Sequence, residues 1–131
     1  MNQDQAIPVA LGLQGFRVLV AEDQLLIADT IVQALEDEGC VIVGPVPRVA
    51  EAVALASDER LDGALLDVKL SGERCFPIAE ALAARDVPFA FLTGYGESAL
   101  PPAWQAVPRL SKPLDFSALV QLARQLFRRH T

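Results

Sequence analysis

"ALLDVKLSGE", residues 64–73, decides how the chain is read. Ala64, Leu65 and Leu66 show no polar alternation, the pattern of a strand buried on both faces. The run stops on a carboxylate, Asp67, and a loop with Ser71 and Gly72 follows. An apolar strand that delivers an aspartate to its own end raises the question of what else the chain can bring to meet it.

Outward from this stretch, strands and helices alternate. Residues 16–21, "FRVLVA", read as a first strand, and residues 22–39 as a helix with Ile27, Ile31 and Leu35 at four-residue spacing and Gly39 at its end. "CVIVGPV" is a second strand, expected to be cut off by Gly44 and Pro45, and "RVAEAVALASDE" is a helix with Val49, Val53 and Leu55 on one side. The third strand covers about 62–67. "CFPIAEALAARD" is helical, with Pro77 tolerated in the first turn. "VPFAFLTGYGE" is a fourth strand and its loop, and "SALPPAWQAV" a fourth helix interrupted by Pro101 and Pro102. "VPRLSKP" is a short fifth strand. In the last helix Phe116, Leu119, Leu122, Leu126 and Phe127 recur at helical intervals, with Asp115 or Ser117 as cap and Arg128 and Arg129 suiting the C-terminal dipole. Strand–helix alternation of this kind predicts a (βα)5 α/β domain, a five-stranded parallel sheet with helices on both faces.

The bulk numbers agree. The 131 residues fit one domain, and 52% hydrophobic residues exclude a disordered chain. A net charge of −6 argues against direct nucleic-acid binding, which wants a basic stripe. Cys40 and Cys75 have no metal-ligand spacing and read as reduced, partly buried thiols, hence a reducing compartment. No apolar run nears the ~18–20 residues of a membrane span. Residues 1–15 lack the basic start of a signal peptide and are expected to form a mobile tail ahead of a domain over 16–131, in a cytoplasmic protein.

In open parallel sheets, ligands bind beyond the carboxyl ends of the strands. Strand one ends on Glu22-Asp23, strand three on Asp67, strand four on Thr93-Gly94 and strand five on Ser111-Lys112-Pro113. If these ends converge, three carboxylates face one ammonium. Two like charges ~4 Å apart repel by about 4 kcal/mol at an effective dielectric near 20, so a hard divalent cation, magnesium or manganese, is called for.

The ordered set of Glu22-Asp23, Asp67, Thr93 and Lys112-Pro113 resembles the receiver domain of two-component response regulators, over residues 16–131. The resemblance implies a flavodoxin-like sheet of order 2-1-3-4-5. It implies that Asp67 is the phosphoacceptor for a phosphohistidine on a sensor histidine kinase or phosphotransfer protein. Glu22, Asp23, Asp67 and the backbone carbonyl of Lys69 would hold the metal. Lys112, Thr93 and the Gly94 amide would meet the phosphoryl oxygens, and the bond before Pro113 is expected to be cis. Such a chain phosphorylates and dephosphorylates itself without being a conventional enzyme.

Two departures matter. Many receivers carry Tyr or Phe where this chain has Arg109, which removes the usual aromatic switch. "PFAFLTGYG", residues 88–96, is similar instead to a subclass marked by Phe-Ala-Thr-Gly-Tyr, with Leu92 in place of its alanine. There Tyr95 and its loop would report phosphorylation. Lys69 and Tyr95 hold the family's two positions flanking the phosphoryl group and are expected to prolong its life by screening water.

The chain stops after its fifth helix, so a stand-alone receiver is expected, monomeric or dimerising on phosphorylation. It would signal through a downstream protein or act as a phosphate sink or shuttle. Its contact face, by the same resemblance, is the fourth helix, fifth strand and fifth helix. Three rivals are weighed. A haloacid-dehalogenase-type phosphohydrolase needs Asp-x-Asp after its first strand, where this chain has Asp23-Gln24-Leu25. A flavodoxin-like cofactor binder needs a hydroxyl- and glycine-rich loop where this chain puts two acids. A receiver-like binding module that is never phosphorylated remains the third. His130 and Trp104 are given no chemical role.

Overall fold

The computed structural model of the protein describes residues 12–94 and 100–129. Its main sheet has five parallel strands, β1 (Arg17–Ala21), β2 (Val41–Val46), β3 (Gly63–Asp67), β6 (Phe89–Thr93) and β7 (Arg109–Ser111). Their order is β2-β1-β3-β6-β7, which is 2-1-3-4-5 when only the five strands of this sheet are counted. Helices α1 (Leu25–Glu36) and α4 (Phe116–Leu126) cover one face, and α2 (Val49–Asp58) and α3 (Phe76–Ala84) the other. The central strands serve both layers because successive side chains point to opposite faces. Leu19, Leu66 and Phe91 enter the α2/α3 core, while Val18, Val20, Leu65 and Leu92 enter the α1/α4 core.

The helix ends follow from the residues there. The Cys40 amide donates to Leu35 O at 3.1 Å and the Gly39 amide to Glu36 O at 2.9 Å, the paired bonds of a Schellman motif. Gly39 supplies the φ of 92° this motif requires. Asp115 caps α4, its side chain accepting from the Ser117 and Ala118 amides at 3.0 and 3.2 Å. Past α4, Arg129 lies over the Phe16 ring and donates to Gln14 O. Leu13, within the stretch expected to be a tail, is 1% exposed and belongs to the α1/α4 core. Cys40 and Cys75 are buried and are not joined in a disulfide. No helix among the described residues is long and apolar enough to cross a membrane.

Three expectations change. Gly44 and Pro45 do not stop the second strand, which runs on to Val46 through a bulge opposite β1. β2 is an edge strand, where a proline costs no ladder bond, and Gly44 at φ 104° passes so close to β1 that a Cβ would lie 2.9 Å from Val20 O. The bulge returns Val46 O to the Glu22 amide, 3.2 Å away. Second, the loop after Asp67 is an antiparallel hairpin, β4 (Lys69–Leu70) and β5 (Glu73–Arg74). Third, the expected fourth helix is reduced, among the described residues, to a single 3₁₀ turn, Pro102–Trp104. The prolines withhold the amide donors an α-helix would use, and Trp104 instead packs with Phe76, Phe89 and Phe91.

Candidate functional site

β1, β3, β6 and β7 end side by side, and the fold places the acidic residues there. β3 is buried at every position, and Asp67, its last residue, is only 4% exposed. The Val68 amide donates to Leu92 O at 3.1 Å and the Cys75 amide to Val68 O at 2.9 Å, which fixes the backbone just past the carboxylate. Glu22, one residue past β1, is 2% exposed; Asp23, next to it, is exposed. One oxygen from each of Glu22, Asp23 and Asp67 lies within 4.8 Å of the others.

Lys112 is the cation that meets this cluster. Its Nζ stands 3.1 Å from Asp67 Oδ1 and 2.9 Å from Glu22 Oε1. The first contact is a hydrogen bond, whereas the second is a charge contact whose angles do not make one. Glu22 Oε2 accepts from the Gln24 amide at 3.0 Å, but Oε1 is a buried oxygen without a hydrogen bond. The Lys112–Pro113 peptide bond is cis, and the Lys112 amide donates to Thr93 O at 2.8 Å.

One ammonium against three carboxylates leaves the site under-compensated, and Asp67 registers it. Burial, with the charge of Glu22 added, pushes its carboxyl up to about 7, while Lys112 pulls the other way. Burial pulls the Lys112 ammonium down, but the Glu22 and Asp67 carboxylates outweigh that and hold it above its ordinary value. An acidic pocket in which three carboxylates in close reach share one ammonium, with the Asp67 carboxyl pushed up, fits a divalent cation.

A cleft of about 250 Å³ opens over the cluster, lined by Asp23, Gln24, Asp67, Lys69, Gly72, Gly94 and Lys112. Thr93, 3% exposed, has only long contacts from Oγ1 among the described residues, 3.4 Å to Leu110 O and 3.5 Å to Ser111 Oγ. Gly94 borders the cleft, Lys69 sits exposed on β4, and Arg109 lies opposite Phe91 in the β6–β7 register, away from the cleft lining. Tyr95 and His130 lie outside the described residues. A second, apolar groove of about 310 Å³ shares Lys112 with the cleft and is lined by Leu26, Ile27, Thr30, Pro113, Leu114 and Phe116. Leu25 and Leu26 beside it are 73% and 81% exposed.

Two residues at the site carry no role in the sequence reading. Ser111 Oγ lies 3.5 Å from Thr93 Oγ1, and Ser71 donates its amide to Asp23 Oδ2 at 2.7 Å. The Ser71-Gly72 pair signalled a turn, but not what the turn would touch.

The family model described as the response regulator receiver domain matches residues 18–124. The transcriptional regulatory protein PdtaR of Mycobacterium tuberculosis is 33% identical over 122 residues, 88% of this chain and 60% of PdtaR. The chain therefore spans less than two thirds of the length of that relative. The solution structure of SdrG from Sphingomonas melonis Fr1 is 38% identical with a TM-score of 0.74, over 85% of this chain and 97% of SdrG. The crystal structure of the response regulator PhyR from Brucella abortus is 25% identical with a TM-score of 0.75, over 94% of this chain and 52% of PhyR.

Proposed function

The chain belongs to the response regulator receiver family, and from that premise we propose that Asp67 accepts a phosphoryl group from a phosphohistidine of a histidine kinase or phosphotransfer protein. The observation that carries this reading is the placement of Asp67. It is a buried carboxylate at a rigid strand end, hydrogen-bonded to Lys112 and within reach of two further carboxylates. A rigid nucleophile opening on a cleft meets the positional demand of in-line transfer. A bond forms between an Asp67 carboxylate oxygen and phosphorus as the donor's P–N bond breaks, and the electron pair leaves with the imidazole.

Glu22, Asp23, Asp67 and the backbone carbonyl of Lys69 would hold magnesium, or manganese, which supplies charge neutralisation at the phosphoryl oxygens. Lys112 would move from pairing two carboxylates to pairing one phosphoryl oxygen. Thr93, weakly bonded at rest, is free to turn its hydroxyl toward the phosphorylated side chain, and the Gly94 amide can approach without a Cβ in the way. Lys69 and Tyr95 screen the aspartyl phosphate from water and lengthen its life. The Phe-Ala-Thr-Gly-Tyr character of residues 88–96 assigns readout to the segment after β6, in the absence of an aromatic at Arg109.

The apolar groove and exposed Leu25 and Leu26 adjoin the cleft through Lys112, which suits docking of the donor protein. Output runs by protein contact over the 3₁₀ segment, β7 and α4, or by phosphate sequestration, in the cytoplasm and without DNA binding. The protein is not a conventional enzyme. Intact-mass spectrometry after incubation with magnesium and a small acyl phosphate tests the proposal. One phosphoryl adduct is expected that requires magnesium and vanishes in Asp67→Asn. A magnesium-binding protein that takes no adduct from acyl phosphate or from a phosphohistidine donor would overturn it and leave a phosphorylation-independent binding module.

A further inference from the structure

The three carboxylates are not held alike. Glu22 and Asp67 are buried and fixed by the Gln24 amide and Lys112. Asp23 is exposed, and among the described residues its hydrogen bond comes from the Ser71 amide alone, at 2.7 Å across 48 positions of sequence. An exposed aspartate without that bond would sample several rotamers, and ordering it on cation binding would oppose binding.

The hairpin that brings Ser71 there is built with care for that residue. Ser71 and Gly72 have φ of 50° and 85°, the two successive positive values of a type I′ turn. Asparagine is the favoured residue at the first position, and serine at positive φ is uncommon. A hydroxyl at that place is explained by its own bond: Ser71 Oγ donates to Pro47 O at 2.5 Å, tying the turn to the segment after β2. The hairpin is anchored below by Leu70, which is fully buried, and by the Cys75 amide on Val68 O. A residue kept in a sparsely populated conformation and bonded at both its amide and its hydroxyl is over-determined by its surroundings.

We propose that the β4–β5 hairpin is the positioning element for Asp23. The Ser71 amide bonds Oδ2 and holds the carboxylate in one rotamer beside the cluster, and the Ser71 hydroxyl holds the amide in place. Ser71 thus acts on the cation through Asp23. The inference rests on the reading that the acidic cluster holds a divalent cation. A carboxylate held in one orientation suits magnesium, which is small and strictly octahedral, better than calcium, which tolerates flexible geometry and longer bonds. Partners of this kind, one bond removed from the metal, commonly alter affinity 10–100-fold.

Calorimetric titration of the metal-free full chain with magnesium and, separately, calcium tests the proposal, on wild type, Ser71→Ala and Gly72→Ala. A Cβ at Gly72 would meet nothing within 4 Å, so that variant perturbs the turn through its backbone only. Magnesium affinity is expected to fall about 10-fold in both variants and calcium affinity to change less than about 2-fold. The metal-free thermal midpoint should stay near wild type in Ser71→Ala and fall modestly in Gly72→Ala, whose positive φ strains any L side chain. In an Asp23→Asn background, Ser71→Ala should have no further effect on either cation. Unchanged magnesium affinity in both variants, or a parallel loss for both cations, would overturn the positioning role while leaving the cation site intact. A wild-type protein that binds neither cation would instead remove the cation site and the inference with it.

Discussion

Strand β3 is bracketed by two buried aspartates, Asp62 just before it and Asp67 at its end, and the two rims of the sheet treat them in opposite ways. At the first rim the Asp62 side chain, fully buried, accepts from the Arg17 amide at 2.8 Å, with Arg60 Nη1 3.4 Å away. Its backbone is used as well, its amide donating to Arg17 O at 2.8 Å and its carbonyl accepting from the Arg128 amide at 3.1 Å. At the other rim Asp67 shares one lysine with Glu22, one Glu22 oxygen has no hydrogen bond, and the Asp67 carboxyl is pushed up to about 7. The contrast separates a carboxylate that joins elements from one that shares a single ammonium with a second carboxylate. Burial alone does not distinguish them; the charge balance at each rim does.

Removing each partner in turn sharpens the contrast. Lys112→Met should have the largest effect, since it strands Glu22 and Asp67 together. A loss of about 3–5 kcal/mol is expected in urea unfolding of the metal-free protein at pH 8, the range for breaking a buried ion pair. Asp62→Ala comes next, at about 2–3 kcal/mol, because it leaves the Arg17 amide without its side-chain acceptor. Asp67→Asn should go the other way and raise the stability of the metal-free protein by about 1–2 kcal/mol at pH 8, by relieving a desolvated charge. If Asp67→Asn were as destabilising as Asp62→Ala, the two rims would not differ as described.

The pH dependence tests the same difference more finely. The folded Asp67 carboxyl lies above its unfolded value of 3.8, at about 7, so the folded state binds the extra proton between these limits. Its contribution to stability is therefore greatest below about pH 4 and is lost as pH rises through about 7, by at most about 1.4 kcal/mol per pH unit. Urea unfolding of metal-free wild type and Asp67→Asn should diverge over that window, with the variant gaining on the wild type as pH rises. Parallel curves would remove the charge frustration from the second rim.

Much of this was legible in the sequence because the strongest signals are local. The apolar run at residues 64–66, the helix-ending Gly39 and the strand-end positions of Glu22, Asp23, Asp67, Thr93 and Lys112 follow from pattern and spacing. The sheet order follows from the family those positions resemble. What escaped depends on contacts across the fold. Gly44 and Pro45 look like a strand stop, yet an edge position and a bulge let β2 continue and bring Val46 O to Glu22. Ser71 and Gly72 announce a turn, but only tertiary packing lays the Ser71 amide on Asp23. Asp62 reads as a strand residue, and its role depends on Arg17 and Arg128, 45 and 66 positions away. The pattern of residues 98–107 suggests a helix in spite of Pro101 and Pro102, and among the described residues the prolines and the Trp104 cluster leave one 3₁₀ turn.

The central claim is that the rim of Asp67, and not that of Asp62, is the unfinished one. Magnesium titration of the ¹⁵N-labelled metal-free protein, followed by amide chemical shifts, tests it most directly. The account predicts saturable shifts at Glu22, Asp23, Asp67, Ser71, Gly94 and Lys112, with Arg17, Asp62 and Gly63 unmoved. Shifts that are absent, or as large around Arg17 and Asp62 as around Asp67, would contradict it.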